Sequence, residues 1–254
     1  NSFQIDGVVM NDVFGLSSGG TNGGQTGANP ISMDAIQEMQ VVVAPFDVRQ
    51  SGFTGGAINV VTKQGTNDTH ASAYTFFNNQ SMYGKYSALN DYKKMPMTQQ
   101  FDRTYGGTLG GAIIKDKLFY FVSAEGKKES YPSAVYPGYT PQYITEATAK
   151  QIADKYNELT GFNENYGQRD IEQKSFGLLA RVDWNINDRN KLAVRYNYTK
   201  NTAWNAPNVS SMDGGERSAF GRTSLYSMPF ANSMYSMNNL VHSATLDLNS
   251  RITN

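Results

Sequence analysis

The residue types best able to do chemistry are few and poorly spaced for it. His70 and His242 are the only two histidines, and neither belongs to a partner motif of the kind that acid–base catalysis or metal ligation requires. Asp6, Asp12 and Asp34 do not have the spacing of a calcium-binding loop. Gly52, Gly55 and Gly56 resemble a phosphate-cradling turn, yet no Lys-Ser or Lys-Thr follows where that chemistry needs it, so close backbone packing is the better account. There is no cysteine, which excludes thiolate catalysis, disulfides and Cys-ligated metal. A hydrolase would need a clustered acid and base that this spacing does not offer. No catalytic residue, metal site or cofactor is expected.

Basic and acidic residues cancel at 22 each, leaving no electrostatic footprint for nucleic acid. Only 17% of the 254 residues are charged, while 16 Tyr, 13 Phe and 24 Gly suit a β-rich chain with tight turns. No run approaches the roughly 18 apolar residues of a membrane helix. The mean hydropathy of −0.51 does not decide the matter, because a membrane strand needs only about 10 residues with every second one apolar.

Two kinds of segment must position these residues. Up to Asn67 the chain mixes a strand-like Phe3–Val9, a glycine-rich loop, a short helix over Asp34–Glu38 capped by Ser32, and strand runs Met39–Val43 and Ala57–Thr62. Beyond Asn67 the hydropathy alternates with period two. Phe176, Leu178, Ala180, Val182, Trp184 and Ile186 share one face, with Arg181 and Asp183 on the other. Leu192, Val194, Tyr196 and Tyr198 repeat the scheme, as do Leu118–Ala124 and Ala244–Leu248, and runs at His70–Asn78 and Phe101–Ile113 bring the count to six strands. A soluble sheet with one wet face shares this period. Charged residues in mid-strand and aromatics towards strand ends (Trp184, Tyr196, Tyr198) favour a membrane wall around a wet interior.

Connection lengths point the same way. Ile114–Asp116 and Asn187–Asn190 are short, whereas the other three connections are long, as in outer-membrane barrels with tight periplasmic turns and long external loops. Six strands are fewer than the 8 or so of the smallest barrels, and open edges are forbidden in hydrocarbon. Further strands are therefore expected after Asn254.

Several segments resemble TonB-dependent outer-membrane receptors, in particular their Oar-like branch: Phe3–Val8, Ile36–Val41, Phe46–Lys63, Gly65–Asn67 leading into Ala71–Tyr74, and Leu109–Phe119. They cover about half the chain, and the stretch Gly52–Lys63 is the most specific. The resemblance implies an all-β membrane barrel of about 22 strands, filled by an α+β plug. Residues 1–67 would be plug, and 68–254 the N-terminal six antiparallel strands, with external loops 79–100, 129–172 and 201–237. It also implies residence in a Gram-negative outer membrane and substrate uptake energised through a TonB complex of the inner membrane. Other partners would be the remaining barrel strands, membrane lipid and a surface lipoprotein.

Within that frame Gly52, Phe53, Gly55, Gly56 and Asn59 form the plug signature turn. Arg49, Lys63, Arg181, Asp183 and Arg195 are candidates for polar contacts between plug and wall, or simply line a wet lumen. Gly106, Gly107, Gly110 and Gly111 mark either close approach of the plug or a bend. Tyr131, Tyr136, Tyr139 and Tyr143, beside a helix expected from Pro141 to Thr160, and Trp204 are candidates to grip a ligand or to anchor their loops. Two rivals are a structural or adhesion barrel without energised transport and a soluble β-sheet module for glycans.

Overall fold

Asp6 and Gly7 turn the first strand back on itself, both with positive φ (49° and 82°), the conformation that Asp-Gly favours in a two-residue hairpin. The computed structural model describes residues 2–12, 14–17, 19–27, 29–43, 56–83, 86–87, 93–94, 99–132, 145–166, 170–205 and 230–252. The hairpin strands are β1 (Ser2–Ile5) and β2 (Val8–Val9). With β3 (Ile36–Val43) and β4 (Gly56–Thr62) they make a small sheet of order β2-β1-β4-β3, in which β1 and β4 run parallel. The helix expected over Asp34–Glu38 is one 3₁₀ turn, Met33–Ala35. Ser32 caps it by accepting from Asp34 N–H, and extended chain resumes at Ile36, where the β ladder to β4 replaces further helical bonds.

The second sheet has six antiparallel strands: β5 (His70–Asn79), β8 (Phe101–Ile114), β9 (Leu118–Pro132), β10 (Asp170–Asn187), β11 (Asn190–Asn205) and β12 (Tyr235–Ser250), paired in chain order with β5 and β12 at its edges. A short hairpin, β6 (Tyr86–Ser87) with β7 (Lys93–Lys94), lies between β5 and β8. The strands outrun the sequence expectation. β9 and β10 extend through 129–132 and 170–172, and β11 and β12 take in 201–205 and 235–237, all assigned to loops. Alternation weakens there because both faces turn polar, but the backbone ladder continues. Tyr196 and Tyr198 consequently sit in mid-strand rather than near an end.

One helix, α1 (Glu146–Thr160), lies between β9 and β10. Thr145 caps it, accepting from Thr148 N–H at 3.2 Å, and Gly161 in the left-handed region ends it. It starts later than expected, Pro141–Ile144 lie outside the described residues, and its covered side is Ala149 and Ala153, whereas Ile152 and Leu159 are exposed.

The register aligns the two faces of the large sheet. Leu109, Val122, Ala180, Tyr196 and Ala244 form one row across five strands, and Tyr120, Val182, Val194 and Leu246 form a second. These rows are the exposed ones: Val182 is 38% and Leu246 68% accessible. On the opposite face Ser123, Arg181, Thr199 and Asn201 are all under 9%. Polar residues are buried and apolar ones exposed, the reverse of a water-soluble core. The small sheet lies against that polar face, and among the described residues no second layer covers the Phe176 and Leu192 rows.

The short connections are tied together. Asn187 Oδ1 accepts from the backbone of Arg189 and Asn190 in the β10–β11 turn. Asn67 exchanges hydrogen bonds with Asp116 in the β8–β9 turn, which also receives Asn185 Nδ2. The link from the small sheet is thereby pressed on the wall, and a Cβ at Gly65 would lie 2.4 Å from the Tyr120 carbonyl and 2.5 Å from that of Gly111. Gly65→Ala in the full-length protein should destabilise it by about 2 kcal/mol, since rigid backbone must move. Gly177→Ala, with nothing within 4 Å, should be nearly neutral. Midpoints from heat-shifted electrophoretic mobility check both, and equal midpoints would contradict the close contact.

Candidate functional site

Asp6 is the centre of the junction between the small sheet and the wall. Its hairpin position aims the carboxylate at two arginines on adjacent wall strands, Arg181 of β10 and Arg195 of β11, which stand directly opposite each other in the ladder. Paired like charges repel, and Asp6 offsets that repulsion. Its Oδ2 lies 3.1 Å from Arg195 Nε, close enough for an ion pair though not aligned for a hydrogen bond, and Oδ1 lies 3.8 Å from Arg181 Nη1. Thr62 of β4 links the rest. Its N–H and hydroxyl donate to Asp6 at 2.9 and 2.6 Å, while its hydroxyl oxygen and carbonyl accept from Arg181 Nη1 at 2.9 and 3.2 Å. Arg181 also grips Asp183 through two bonds of 2.8 and 2.9 Å and reaches Gln64 at 3.4 Å.

A second polar knot forms around the 3₁₀ turn. Tyr74 of β5 lies opposite Gly106, which in turn lies opposite Glu125. The absent side chain at Gly106 lets the Tyr74 ring cross it, because a Cβ there would meet the ring at 2.3 Å. The Tyr74 hydroxyl donates to Glu125, and Ser32 Oγ bonds both Tyr74 (2.7 Å) and Glu125 (3.2 Å). Asp34 accepts from the Ser72 hydroxyl and pairs with Lys63 at 2.9 Å. Those two groups, Ser72 first, hold the Asp34 carboxyl below its ordinary range. Asn197 Nδ2 donates to the Pro30 carbonyl, and one apolar spot, Ala35 and Ile31 against Phe121 and Leu179, completes the contact. Beside it is a cavity of about 50 Å³ lined by Ser32, Ser123, Glu125, Lys127, Asn197 and Asn201, enough for a few waters.

Among the residues singled out from sequence, Arg181 and Arg195 meet the small sheet, and Asp183 holds Arg181. Lys63 pairs with Asp34 of its own unit, not with a wall carboxylate. Arg49, Gly52, Phe53 and Gly55 lie outside the described residues. Gly56 begins β4, and Asn59 accepts from Gly7 N–H at 3.2 Å. Gly110 approaches Gly65 and Gly111 approaches Thr69 of the link, while the nearest neighbours of Gly107 are backbone atoms of β5. Tyr131, the last residue but one of β9, is 40% exposed and on the polar-facing row. Trp204, 42% exposed, belongs to the outward row of β11, facing away from the small sheet. Tyr136, Tyr139 and Tyr143 lie outside the described residues.

Sequence reasoning missed Asp6, Ser32, Asp34 and Thr62 as junction residues. The Asp6-Gly7 hairpin signal was there to find, but its partners lie far along the chain. Among the described residues no cluster of three or more His, Asp or Glu could hold a metal.

A family described as outer membrane beta barrel domain matches residues 61–144, the link and the first wall strands. The large sheet is outer-membrane barrel wall. The chain is similar to the TonB-dependent transporter Oar of Myxococcus xanthus, 29% identical over 125 residues, which are 48% of this chain and 11% of that protein. It is also similar to the crystal structure of the siderophore receptor PirA from Acinetobacter baumannii, with a TM-score of 0.48 and 19% identity over 80% of this chain and 24% of that one. The chain thus spans about a tenth and about a quarter of these two proteins. The barrel wall places it in the outer membrane of a Gram-negative bacterium, with the exposed apolar rows towards lipid and the junction inside.

Asp6→Ala should leave Arg195 with no anion and Arg181 with Asp183 alone, and loosen the junction by about 3 kcal/mol, the usual cost of stripping one member from a buried ion pair. Asp6→Asn, which keeps an acceptor for Thr62, should fall between. Limited proteolysis of the small sheet in the detergent-purified full-length protein reads the order, and wild-type rates for Asp6→Ala would refute the latch. Acid should act at Asp34. Because its folded pKa is depressed, its stabilising effect is complete above the ordinary carboxylate pKa of about 3.9 and disappears as pH falls through the lower folded value. Asp34→Asn should flatten the acid limb of the proteolysis–pH profile.

Proposed function

We propose that this chain belongs to a transporter in which residues 1–67 are plug and residues 68–254 begin the barrel, with the long connections outside and the tight turns in the periplasm. The observation that carries the reading is the composition of the junction. A unit held inside a wall by hydrogen bonds and ion pairs can exchange them for water at about 1 kcal/mol net each, and such an interface can be displaced and restored without unfolding either side. A permanent structural filler would be better held by apolar area, of which the described residues contribute only the Ala35–Phe121 spot. Work applied through a TonB complex at the periplasmic side would break the Asp6–Arg181–Arg195 and Asp34–Ser72 contacts and open a path between small sheet and wall.

The substrate would arrive from the loop side. Tyr131, Tyr136, Tyr139 and Tyr143 are the aromatic contacts proposed for it, whereas Trp204, on the outward row, is not, and a surface lipoprotein would be a further partner. Binding and displacement, not bond chemistry, would be the whole activity.

Disrupting the gene in its host and profiling the medium by mass spectrometry, with and without an uncoupler, tests this. The expected result is a solute whose removal requires both the gene and inner-membrane energy. Gene-dependent removal that survives the uncoupler would turn the reading into passive passage, and no gene-dependent removal would favour a structural or adhesion barrel.

A further inference from the structure

The outward face of the wall carries cations where its apolar rows end. Arg103 of β8 stands opposite Lys128 of β9, and Lys128 opposite Lys174 of β10. Lys200 of β11 follows one step along, opposite Phe176. Like charges in direct register are unfavourable, and the carboxylates nearby do not balance them. Glu172 bridges Lys128 and Lys174 at 3.2 and 2.6 Å, and Asp170 lies further out at the start of β10. Arg103 and Lys128 both lie over the Phe101 ring, at 4.6 and 5.4 Å from its centroid, a contact that orients the cations without neutralising them. The side chains of Lys128 and Lys174 remain 44% and 56% exposed.

Height identifies the occupant. From Lys174 to Trp184 along β10 is a run of about 33 Å at about 3.3 Å per residue, or roughly 25 Å across the membrane for a strand tilted by about 40°, the depth of a barrel's apolar band. The cation row therefore marks one surface of the hydrocarbon and Trp184 the other. Exposed Tyr105 and Phe176 lie just inside the row, as an interfacial girdle does. The row sits at the end of the long connections, so the inference rests on their proposed outward orientation.

We propose that Arg103, Lys128, Lys174 and Lys200 bind the phosphate groups of the phosphorylated glycolipid of the outer leaflet. Arginine and lysine donate to phosphate oxygens with charge-assisted bonds, and the neighbouring apolar rows receive the acyl chains of the same molecule. A soluble anion would gain only the first contact, which is why a lipid is the better occupant.

The test uses full-length protein extracted in detergent, with retained glycolipid measured per polypeptide by mass spectrometry. Lys174→Gln should retain about fivefold less than wild type. The quadruple glutamine variant should retain almost none, while Lys117→Gln at the short-turn end should retain the wild-type amount. Should the quadruple variant fail to fold by heat-shifted mobility, the pair Lys128→Gln and Lys174→Gln serves in its place, with Lys128→Arg and Lys174→Arg restoring retention. Unchanged retention in folded variants overturns the site, and so does displacement of the bound lipid by millimolar inorganic phosphate, which would mark a generic anion patch. Orientation is read separately. These 254 residues contain no cysteine, so labelling of Glu158→Cys on α1 by a membrane-impermeant maleimide on intact cells is read as the excess over the unsubstituted full-length protein. Labelling with unchanged lipid retention removes the glycolipid site alone, whereas failure to label removes the outward orientation and the site with it.

Discussion

Hydrocarbon contains nothing that can hydrogen-bond a peptide group, so every N–H and C=O that crosses it must find a partner within the wall. That constraint selects the continuous ladder from β5 to β12, and the ladder places alternate side chains on opposite faces. Once Val122, Ala180, Tyr196 and their row neighbours face lipid, Arg181, Arg195, Glu125 and Asn201 are directed inwards by geometry alone. Inward polar groups then need partners of their own. Asp6 and Thr62 supply them for Arg181 and Arg195, and Ser32 for Glu125, so the small sheet and the wall complete each other electrostatically at these positions.

The strength of that junction is limited by its chemistry. A carboxylate between two guanidiniums is strong only while it stays dry, and the Thr62 hydroxyl, accepting from Arg181 while donating to Asp6, belongs to a chain of bonds that polarise one another. Admit water and each member has a substitute partner. The polar cavity beside Ser32 and Asn201 lies within this interface. An apolar seam has no such substitute, and its cost of separation grows with area. The preference for polar contacts therefore concerns how the interface separates as much as how it holds.

Particular elements show where sequence reasoning succeeded and where it stopped. The wall strands were legible because a side-chain period of two survives in any sequence that must face lipid on one side. Their ends were not, since beyond the membrane both faces are wet and the pattern fades at Lys128, Glu172 and Thr202 although pairing persists. The helix expected after Ser32 shortened to one turn because Ile36 found a strand partner in Thr62, a tertiary gain that local propensity does not register. Lys63, a candidate either for a contact with the wall or for a cation lining a wet lumen, pairs with Asp34. Opposite charges within one unit can satisfy each other, and charge type alone does not name the partner.

By itself the sequence determined the alternation, the tight turns and the lack of a thiol in these 254 residues, since each follows from residue type and local spacing. Only the tertiary structure decided that Arg181 and Arg195 are neighbours, that Asp6 sits between them, that Gly106 makes way for Tyr74, and that Arg103, Lys128 and Lys174 fall in one row. Those relations depend on register between strands joined by long connections. Register is set by the whole ladder together, so no local stretch of sequence carries it.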